Sequence, residues 1–584
     1  MTYKMNHMAL LQLIIIATST LIITHNINAL PNILQKSSAA LKNTQITMKK
    51  RVQFTSIMAK ALHNHARGTK SDHIAIEKKL KNIYNSTSCT PEQSAINLHK
   101  ALQSNTITSD NEQHYFGASS SALQTEGGLD ENSAAARFCK EIAQLPTAED
   151  AIDFYNRYET IIKQMKDELN INAFRISLAW NRIEPRCGEF NMQAITFYGN
   201  VINTLLAHDI TPIVVFHHYD VPTWFEDLKG FELQENGILF KRFCTTVYKE
   251  LAVELGNCLL SMCNAPEGPA FKGYFTGEGT PGEKDNLQKT HTVIANMYYE
   301  LVDTALEIQK IYIALKKENQ LIKQPSIGTQ INVVLCDPHH NSQQNWRSRL
   351  KTSLGCAMAS YIQSGGTFNF LINGEYCMYT PNAKFMKQAK GVNVYRYHPD
   401  AYKAFDWIGV NIYSNRFLNG FEQVTGNKLI EEDQERYTDN PNYRNYPEGI
   451  YRAVQMIAEN ITIPLGKRKN KDGKPLPIII TENGIATKDN VKRTRYFQRA
   501  IATITQLIID GYYVTGYLPW AAHDNYEWPT QENPEGFGSK CYGFFAVNFD
   551  KKSPDYLKIT LKEGSHYYAN FVKSFLNYQK PSMC

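Results

Sequence analysis

The chain has 584 residues, of which 43% are hydrophobic and 20% are charged, and its formal net charge at pH 7 is +6. This length and composition exclude a disordered protein and a coiled coil, and they allow a large buried core. The positive charge is concentrated in residues 30–110, with twelve Lys or Arg against four Asp or Glu, whereas residues 111–584 sum to −3. The main part of the chain therefore lacks the basic surface of a nucleic-acid-binding protein.

The N-terminus has the pattern of a secretory signal. Lys4 precedes an apolar run over residues 9–24, and the sequence Asn-Ile-Asn-Ala ends at Ala29. Such a run is short for a bilayer span and is followed by a small residue suited to cleavage. We predict a signal peptide over 1–29, no stable membrane span after its removal, and a secreted or extracytoplasmic protein.

Residues 30–110 predict a basic, mainly helical extension. Apolar residues recur there with the three- and four-residue spacing of an amphipathic helix, which indicates helices that pack on the main domain. The two series are Phe54, Ile57, Met58, Ala61 and Leu62, and then Ile76, Leu80, Ile83 and Tyr84.

Short apolar runs alternate with helical segments from residue 111 onward, which is typical of repeated strand–helix units. Eight such runs predict an α/β fold, a (β/α)8 TIM barrel over 111–584. The candidate strands are 115–121, 173–180, 211–218, 259–264, 326–334, 407–413, 477–484 and 514–521.

Polar and aromatic side chains lie within these predicted strands or shortly after them. The carboxyl ends of parallel barrel strands converge on one mouth, where catalytic groups lie. The candidates are Gln124, Arg175, His218, Asn264, Asn411, Tyr413, Glu482, Trp520, Glu527 and Trp528. Glu, Gln, His and Asn supply the mixed donors and acceptors that sugar hydroxyls need, and an indole offers a flat apolar face.

The same stretches resemble glycoside hydrolase family one, the retaining β-glucosidases and their relatives, over residues 112 to about 575. The matching motifs are FGASSSALQTEG (116–127), FRISLAWNRIEP (174–185), HHYDVP (217–222), GVNIY (409–413), ITENG (480–484) and HDNYEW (523–528). The resemblance implies hydrolysis of a small-molecule or oligosaccharide β-glycoside, with no cofactor or metal.

The resemblance also implies a role for each candidate. Glu482 is the nucleophile, Arg175 bonds it and keeps it ionised, and Tyr413 orients it. The floor beneath the sugar is Trp520. The residues expected to bind the substrate around it are Gln124, His218, Asn264, Asn411, Glu527 and Trp528.

The sequence departs from the family at the acid/base position. The family's fourth strand ends in Asn-Glu-Pro, and here Asn264 and Pro266 flank Ala265. A retaining glycosidase needs a second carboxyl group about 5 to 5.5 Å from the nucleophile to protonate the leaving oxygen. A second departure follows His218, because the family's usual tryptophan is Tyr219.

Three hypotheses are compatible with these departures. The first is a specialised glycosidase or transglycosidase for activated or thio-linked glycosides, in which an external anion or another acceptor completes the cycle. The second is a pseudoenzyme that binds a sugar without turnover. In the third, Glu267, on the loop just after the strand, replaces the missing acid.

A phosphorylated sugar is not expected. Lys540 and Tyr542 resemble the phosphate clamp of one branch of the family, but Asn533 stands where that branch has serine. Glu527 would also repel a phosphate near the distal hydroxyls.

Overall fold

In the computed structural model, the main body of the chain is described from residue 89 to residue 579. The described ranges are 46–48, 51, 54–56, 78, 89–107, 112–319, 321–339, 345–382, 391–420, 422–424, 438–440, 443–531 and 534–579. The signal peptide predicted over 1–29, and most of the extension predicted over 30–110, lie outside these residues.

Eight parallel strands form a closed barrel in which each strand pairs with its neighbours in sequence, and the last strand pairs with the first. The predicted (β/α)8 fold is confirmed. Branched side chains fill the strands, as in Ile478–Ile480, because both faces of a parallel sheet are covered. The strands are β1 Tyr115–Ser119, β2 Ala173–Ser177, β3 Thr211–Val215, β4 Leu259–Ser261, β5 Ser326–Asn332, β6 Trp407–Asn411, β7 Ile478–Glu482 and β8 Val514–Tyr517.

The strands are shorter than the apolar runs that predicted them. For example, β3 ends at Val215 and β4 ends at Ser261, so His218 and Asn264 belong to the segments that leave the strands. These segments bend over the mouth of the barrel, where the Asn264 amide N–H donates to the carbonyl of His217 at 2.8 Å. Sequence periodicity does not distinguish a strand from an extended segment that continues it.

Helices follow the strands and cover the barrel. The 32-residue helix after β4 is capped by Asn286, whose side chain accepts from the Lys289 amide. The longer helices are Pro91–Ser104, Phe154–Gln164, Met192–Ala207, Gly237–Glu250, Leu287–Glu318, Trp346–Ser360, Gly366–Asn373, Gly449–Ile457, Asn490–Ile509 and His566–Gln579. Shorter helices are Ala122–Thr125, Ala134–Arg137, Trp180–Ile183, Thr223–Asp227, Ala252–Leu255, Glu267–Phe271 and Ile463–Lys469.

Among the described residues, three small sheets accompany the barrel. A three-stranded sheet combines the segments that follow β5 and β6, and therefore lies beside the mouth. The strands of these sheets are Leu335–Pro338 with Asn415–Asn419 and Glu422–Val424, Glu375–Tyr379 with Asn393–Tyr397, and Phe545–Val547 with Ile559–Leu561.

The described part of the N-terminal extension packs on the barrel domain. Helix Pro91–Ser104 lies against the helices Asn490–Ile509 and His566–Gln579, and Leu98 is fully buried there. Ser94 and Tyr567 are joined by a hydrogen bond of 2.7 Å between their hydroxyl oxygens. This helix is therefore an integral part of the fold.

Candidate active site

Glu482 ends β7, and both of its carboxylate oxygens accept hydrogen bonds. Arg175, fully buried on β2, donates from Nη2 to Oε1 at 2.5 Å. The Tyr413 hydroxyl donates to Oε2 at 2.7 Å. A charge-assisted bond on each oxygen fixes the plane of the carboxylate.

Arg175 also holds the amides behind the nucleophile. Its Nη1 donates to Oδ1 of Asn264 at 3.0 Å and to Oε1 of Gln330 at 2.5 Å. Asn411 donates from Nδ2 to the same oxygen of Asn264 at 2.8 Å. The resulting network joins residues from β2, β5, β6 and β7 to the segment after β4.

Gln330 is a residue that the sequence analysis missed. It is fully buried in the middle of β5. No family motif marks it, and the available signal was an amide side chain in the interior of a predicted barrel strand. An unexplained polar residue in such a strand requires a buried partner, which here is the Arg175 guanidinium.

His218 is neutral and has an unused ring donor. Asn264 donates from Nδ2 to Nε2 of His218 at 3.1 Å, since the Asn264 oxygen is occupied by Arg175 and Asn411. Burial, reinforced by the Arg175 charge, holds the pKa of His218 well below its usual range. The proton therefore resides on Nδ1, which has no hydrogen-bond partner within the described part of the chain.

Three further candidates surround the same space. Gln124 is fully buried and donates to the Tyr526 carbonyl at 2.7 Å. The Trp520 indole donates to Oε1 of Glu527 at 2.7 Å, and burial raises the pKa of Glu527 to about 7. Indole, amide and carboxyl groups thus meet at one wall of the site.

These side chains line one cavity of about 630 Å³ at the mouth of the barrel, within the usual size of a small-molecule site. Its lining includes nine of the predicted site residues: Gln124, His218, Glu267, Asn411, Tyr413, Glu482, Trp520, Glu527 and Trp528. Arg175 and Asn264 lie behind it as the buried support. The structure therefore brings the predicted residues together in one place.

Ala265 is fully buried, and in the described structure the cavity lining does not include it. Its amide donates to the Gln330 carbonyl at 3.1 Å, and its carbonyl accepts from the Gly268 amide at 2.9 Å. Its φ of 45° lies in the left-handed region. The chain therefore turns sharply at this residue, directly after Asn264.

Glu267 lies on the cavity wall, but its carboxyl group is held by neighbouring helices. Its Oε1 accepts from the Tyr298 hydroxyl at 2.7 Å and from the Thr367 hydroxyl at 3.1 Å. Its Oε2 is buried and has no partner in the described structure. Burial raises the pKa of Glu267 to about 7, so a proton is retained near neutral pH.

Two lysines that line the cavity add positive charge. Lys540 donates to the Trp528 carbonyl at 2.9 Å. The Lys272 ammonium lies 5.1 Å from the ring centre of Trp528 and 5.7 Å from that of Tyr219. Burial lowers the pKa of both lysines.

Within the described ranges, no group of three or more His, Cys, Asp or Glu side chains could hold a metal ion. The same ranges contain no helix that is both long enough and apolar enough to cross a bilayer.

Comparison with known proteins identifies the family of this chain. The model of glycosyl hydrolase family 1 matches residues 108–575. The chain is 26% identical over 489 residues to beta-glucosidase A of Acetivibrio thermocellus, covering 79% of this chain and 97% of that one. It is 27% identical over 506 residues to the peroxisomal beta-glucosidase 26 of Arabidopsis thaliana, and the match covers 80% of this chain and 84% of that one.

The fold agrees with solved structures. The family 1 β-glucosidase of Thermotoga maritima superposes with a TM-score of 0.63 at 22% identity, over 80% of this chain and 98% of that chain. The beta-glycosidase of Pyrococcus horikoshii gives a TM-score of 0.60 at 24% identity, over 80% of this chain and 98% of that chain. Because the family model spans most of the sequence, the chain belongs to glycosyl hydrolase family 1.

Proposed function

We propose that this protein is a retaining β-glycosidase that acts on β-glucosides or related sugars and uses Glu482 as its nucleophile. The observation that carries the proposal is the pair of hydrogen bonds from Arg175 and Tyr413 to the two oxygens of Glu482. A buried carboxylate oriented in this way at a cavity wall, beside sugar-binding side chains, is what the first chemical step needs.

The absence of a carboxyl group at position 265 restricts the substrates. Attack of Glu482 on the anomeric carbon breaks the bond to the leaving oxygen, which retains the electron pair. An aglycone that is stable as an anion departs without a proton, whereas an alkoxide does not. General acid–base catalysis contributes about 10²- to 10⁴-fold, so activated O-glycosides or S-glycosides are the proposed substrates.

The second step requires water or another acceptor at the anomeric carbon. Its attack breaks the bond between Glu482 and the sugar, and the proton of the acceptor passes to solvent or to an external anion acting as base. No cofactor takes part. The signal pattern over residues 1–29 supports the proposal that the protein is secreted or extracytoplasmic, and a fusion of these residues to a reporter tests it.

The proposal is tested by restoring the carboxyl group. Ala265→Glu is expected to raise kcat/KM for aryl glucosides with poor leaving groups by about 100-fold or more, the range of general acid catalysis. Ala265→Gln is the matched control, because it has nearly the same shape without a titratable proton. If Ala265→Glu gives no gain over Ala265→Gln, the proposed specialisation for activated or thio-linked glycosides is wrong.

A sugar-binding pseudoenzyme is the second candidate. This candidate is supported by Ala265, which carries no carboxyl group and is fully buried outside the cavity lining. Calorimetry with glucose, combined with the labelling of Glu482 by a 2-fluoroglucoside, separates the two functions. Binding without labelling supports the pseudoenzyme, and labelling supports the glycosidase.

Glu267 as a substitute acid is the third candidate, because its carboxyl group lies on the cavity wall and holds a proton near neutral pH. Glu267→Gln should abolish activity only in this case. A fully active Glu267→Gln variant excludes it, and the hydrogen bonds from Tyr298 and Thr367 then have a purely structural purpose.

A further inference from the structure

The Tyr219 hydroxyl has no hydrogen-bond partner among the residues that the structure describes, although the ring lines the same cavity as Glu482. Tyr219 also has a φ of 70°, in the left-handed region. This conformation costs a bulky residue roughly 1 to 2 kcal/mol. Such outliers persist where the surrounding structure holds a side chain in a required position.

The hydroxyl lies on the turn that begins with Ala265. A Cβ added to Gly268 would be 2.5 Å from the Tyr219 hydroxyl oxygen, and the Gly268 amide closes the turn on the Ala265 carbonyl. The phenol therefore rests directly on this short turn, and the absence of a side chain at Gly268 provides the space. A hydroxyl donor thus stands beside Gly268, whose amide is hydrogen-bonded to Ala265, the residue where the family's carboxyl group is missing.

A positive charge faces the ring of the same tyrosine. Lys272 lies one helical turn beyond Gly268, and its ammonium is 5.7 Å from the Tyr219 ring centre. It makes no hydrogen bond or ion pair with the described side chains, and the rings of Tyr219 and Trp528 are its neighbours. A cation over a ring is attracted to its face and fixes its position.

We propose that Tyr219 donates a hydrogen bond to the leaving oxygen of the substrate, in place of the carboxyl group absent at Ala265, and that Lys272 positions its ring. This inference rests on the proposed glycosidase function. Glu482 attacks the anomeric carbon, the bond to the leaving oxygen breaks, and that oxygen retains the electron pair. Tyr219 keeps its proton throughout, because burial and Glu482 raise its pKa well above the usual value, and the departing anion takes a proton from water.

The experiment measures the rate of labelling by two 2-fluoroglucosides, one with a dinitrophenyl leaving group and one with a nitrophenyl group. Tyr219→Phe is expected to slow labelling by the nitrophenyl compound about tenfold, the effect of one hydrogen bond. Labelling by the dinitrophenyl compound should change less than about twofold. Tyr397→Phe, on the exposed hairpin, is the matched control.

The same measurement in the Ala265→Glu background completes the test. There the new carboxyl group should supply the proton, so the effect of Tyr219→Phe on the nitrophenyl compound should fall below about twofold. Lys272→Met should slow labelling by the nitrophenyl compound more than labelling by the dinitrophenyl compound, as Tyr219→Phe does. Lys272→Arg, which keeps the positive charge, should label at the wild-type rate.

Equal slowing of both compounds by Tyr219→Phe would show a merely structural tyrosine and would overturn the inference, as would no slowing at all. Either result leaves the proposed function intact, since the dinitrophenyl compound still labels the wild-type protein. Failure of both compounds to label the wild-type protein contradicts the proposed function and this inference together.

Discussion

Replacing Glu267 by glutamine should stabilise the protein at high pH and have little effect at low pH. Burial raises the pKa of this carboxyl group from 4.5 to about 7 in the folded chain. Between these values the unfolded chain releases the proton and the folded chain keeps it. The free energy of unfolding therefore falls as the pH rises from about 4.5 to 7, and it is constant above that range.

The size of the effect follows from the shift. A change of 2.5 in pKa corresponds to about 3 kcal/mol, of which about 2.5 kcal/mol develops between pH 5 and pH 8. Glu267→Gln removes the ionisation, while the Gln oxygen can still accept from the Tyr298 and Thr367 hydroxyls. The variant should therefore gain about 2.5 kcal/mol over the wild type on passing from pH 5 to pH 8.

Urea unfolding of the full chain at the two pH values provides the measurement. Other buried carboxyl groups titrate in both proteins and cancel in the difference. The control is Glu235→Gln, at an exposed position, which should change the unfolding free energy by less than about 0.5 kcal/mol at either pH. If the unfolding free energies of Glu267→Gln and wild type differ by the same amount at pH 5 and pH 8, the folded chain does not retain a proton on Glu267.

Three other substitutions test the support of the site and of the fold. Arg175→Met leaves the Glu482 carboxylate buried without its ion pair. Urea unfolding should show that the free energy of unfolding falls by about 3 to 5 kcal/mol, and mass spectrometry should show no labelling of Glu482 by the 2-fluoroglucoside. Tyr413→Phe removes a hydrogen bond to a charged group, so labelling of Glu482 should slow by about 10- to 100-fold with the unfolding curve little changed. Leu98→Ala opens a cavity under helix Pro91–Ser104 and should cost about 2 to 5 kcal/mol without changing the labelling rate. A wild-type unfolding curve for Leu98→Ala would mean that this helix does not pack on the domain.

The barrel was predictable because short, mainly apolar runs alternate with helical segments from residue 111 onward. The same runs predicted where catalytic side chains gather, since parallel strands bring their carboxyl ends to one mouth. Glu482, Tyr413 and Asn411 follow directly from this rule. The predicted ends of the strands were less accurate. The apolar run of β3 continues to Phe216 and the strand was predicted to reach residue 218, but it ends at Val215.

Contacts between distant segments were not predictable from the sequence. The hydroxyl of Thr367 reaches the Glu267 carboxyl group from 100 residues away, and nothing local to either residue announces the pair. Gln330 likewise acquires its role only when the barrel closes beside Arg175. The helix Pro91–Ser104 had a local signal that was overlooked, since Thr90 caps it and proline occupies its first turn.

The most direct test of the proposed function is the mass of the intact protein after incubation with 2,4-dinitrophenyl 2-deoxy-2-fluoro-β-glucoside. This compound needs no acid catalyst, and its fluorine stalls the reaction once the nucleophile is glycosylated. We predict the addition of one sugar, located on Glu482 by peptide mapping and absent in Glu482→Gln. An unmodified protein that still binds glucose in calorimetry would contradict the account and would show a sugar-binding pseudoenzyme.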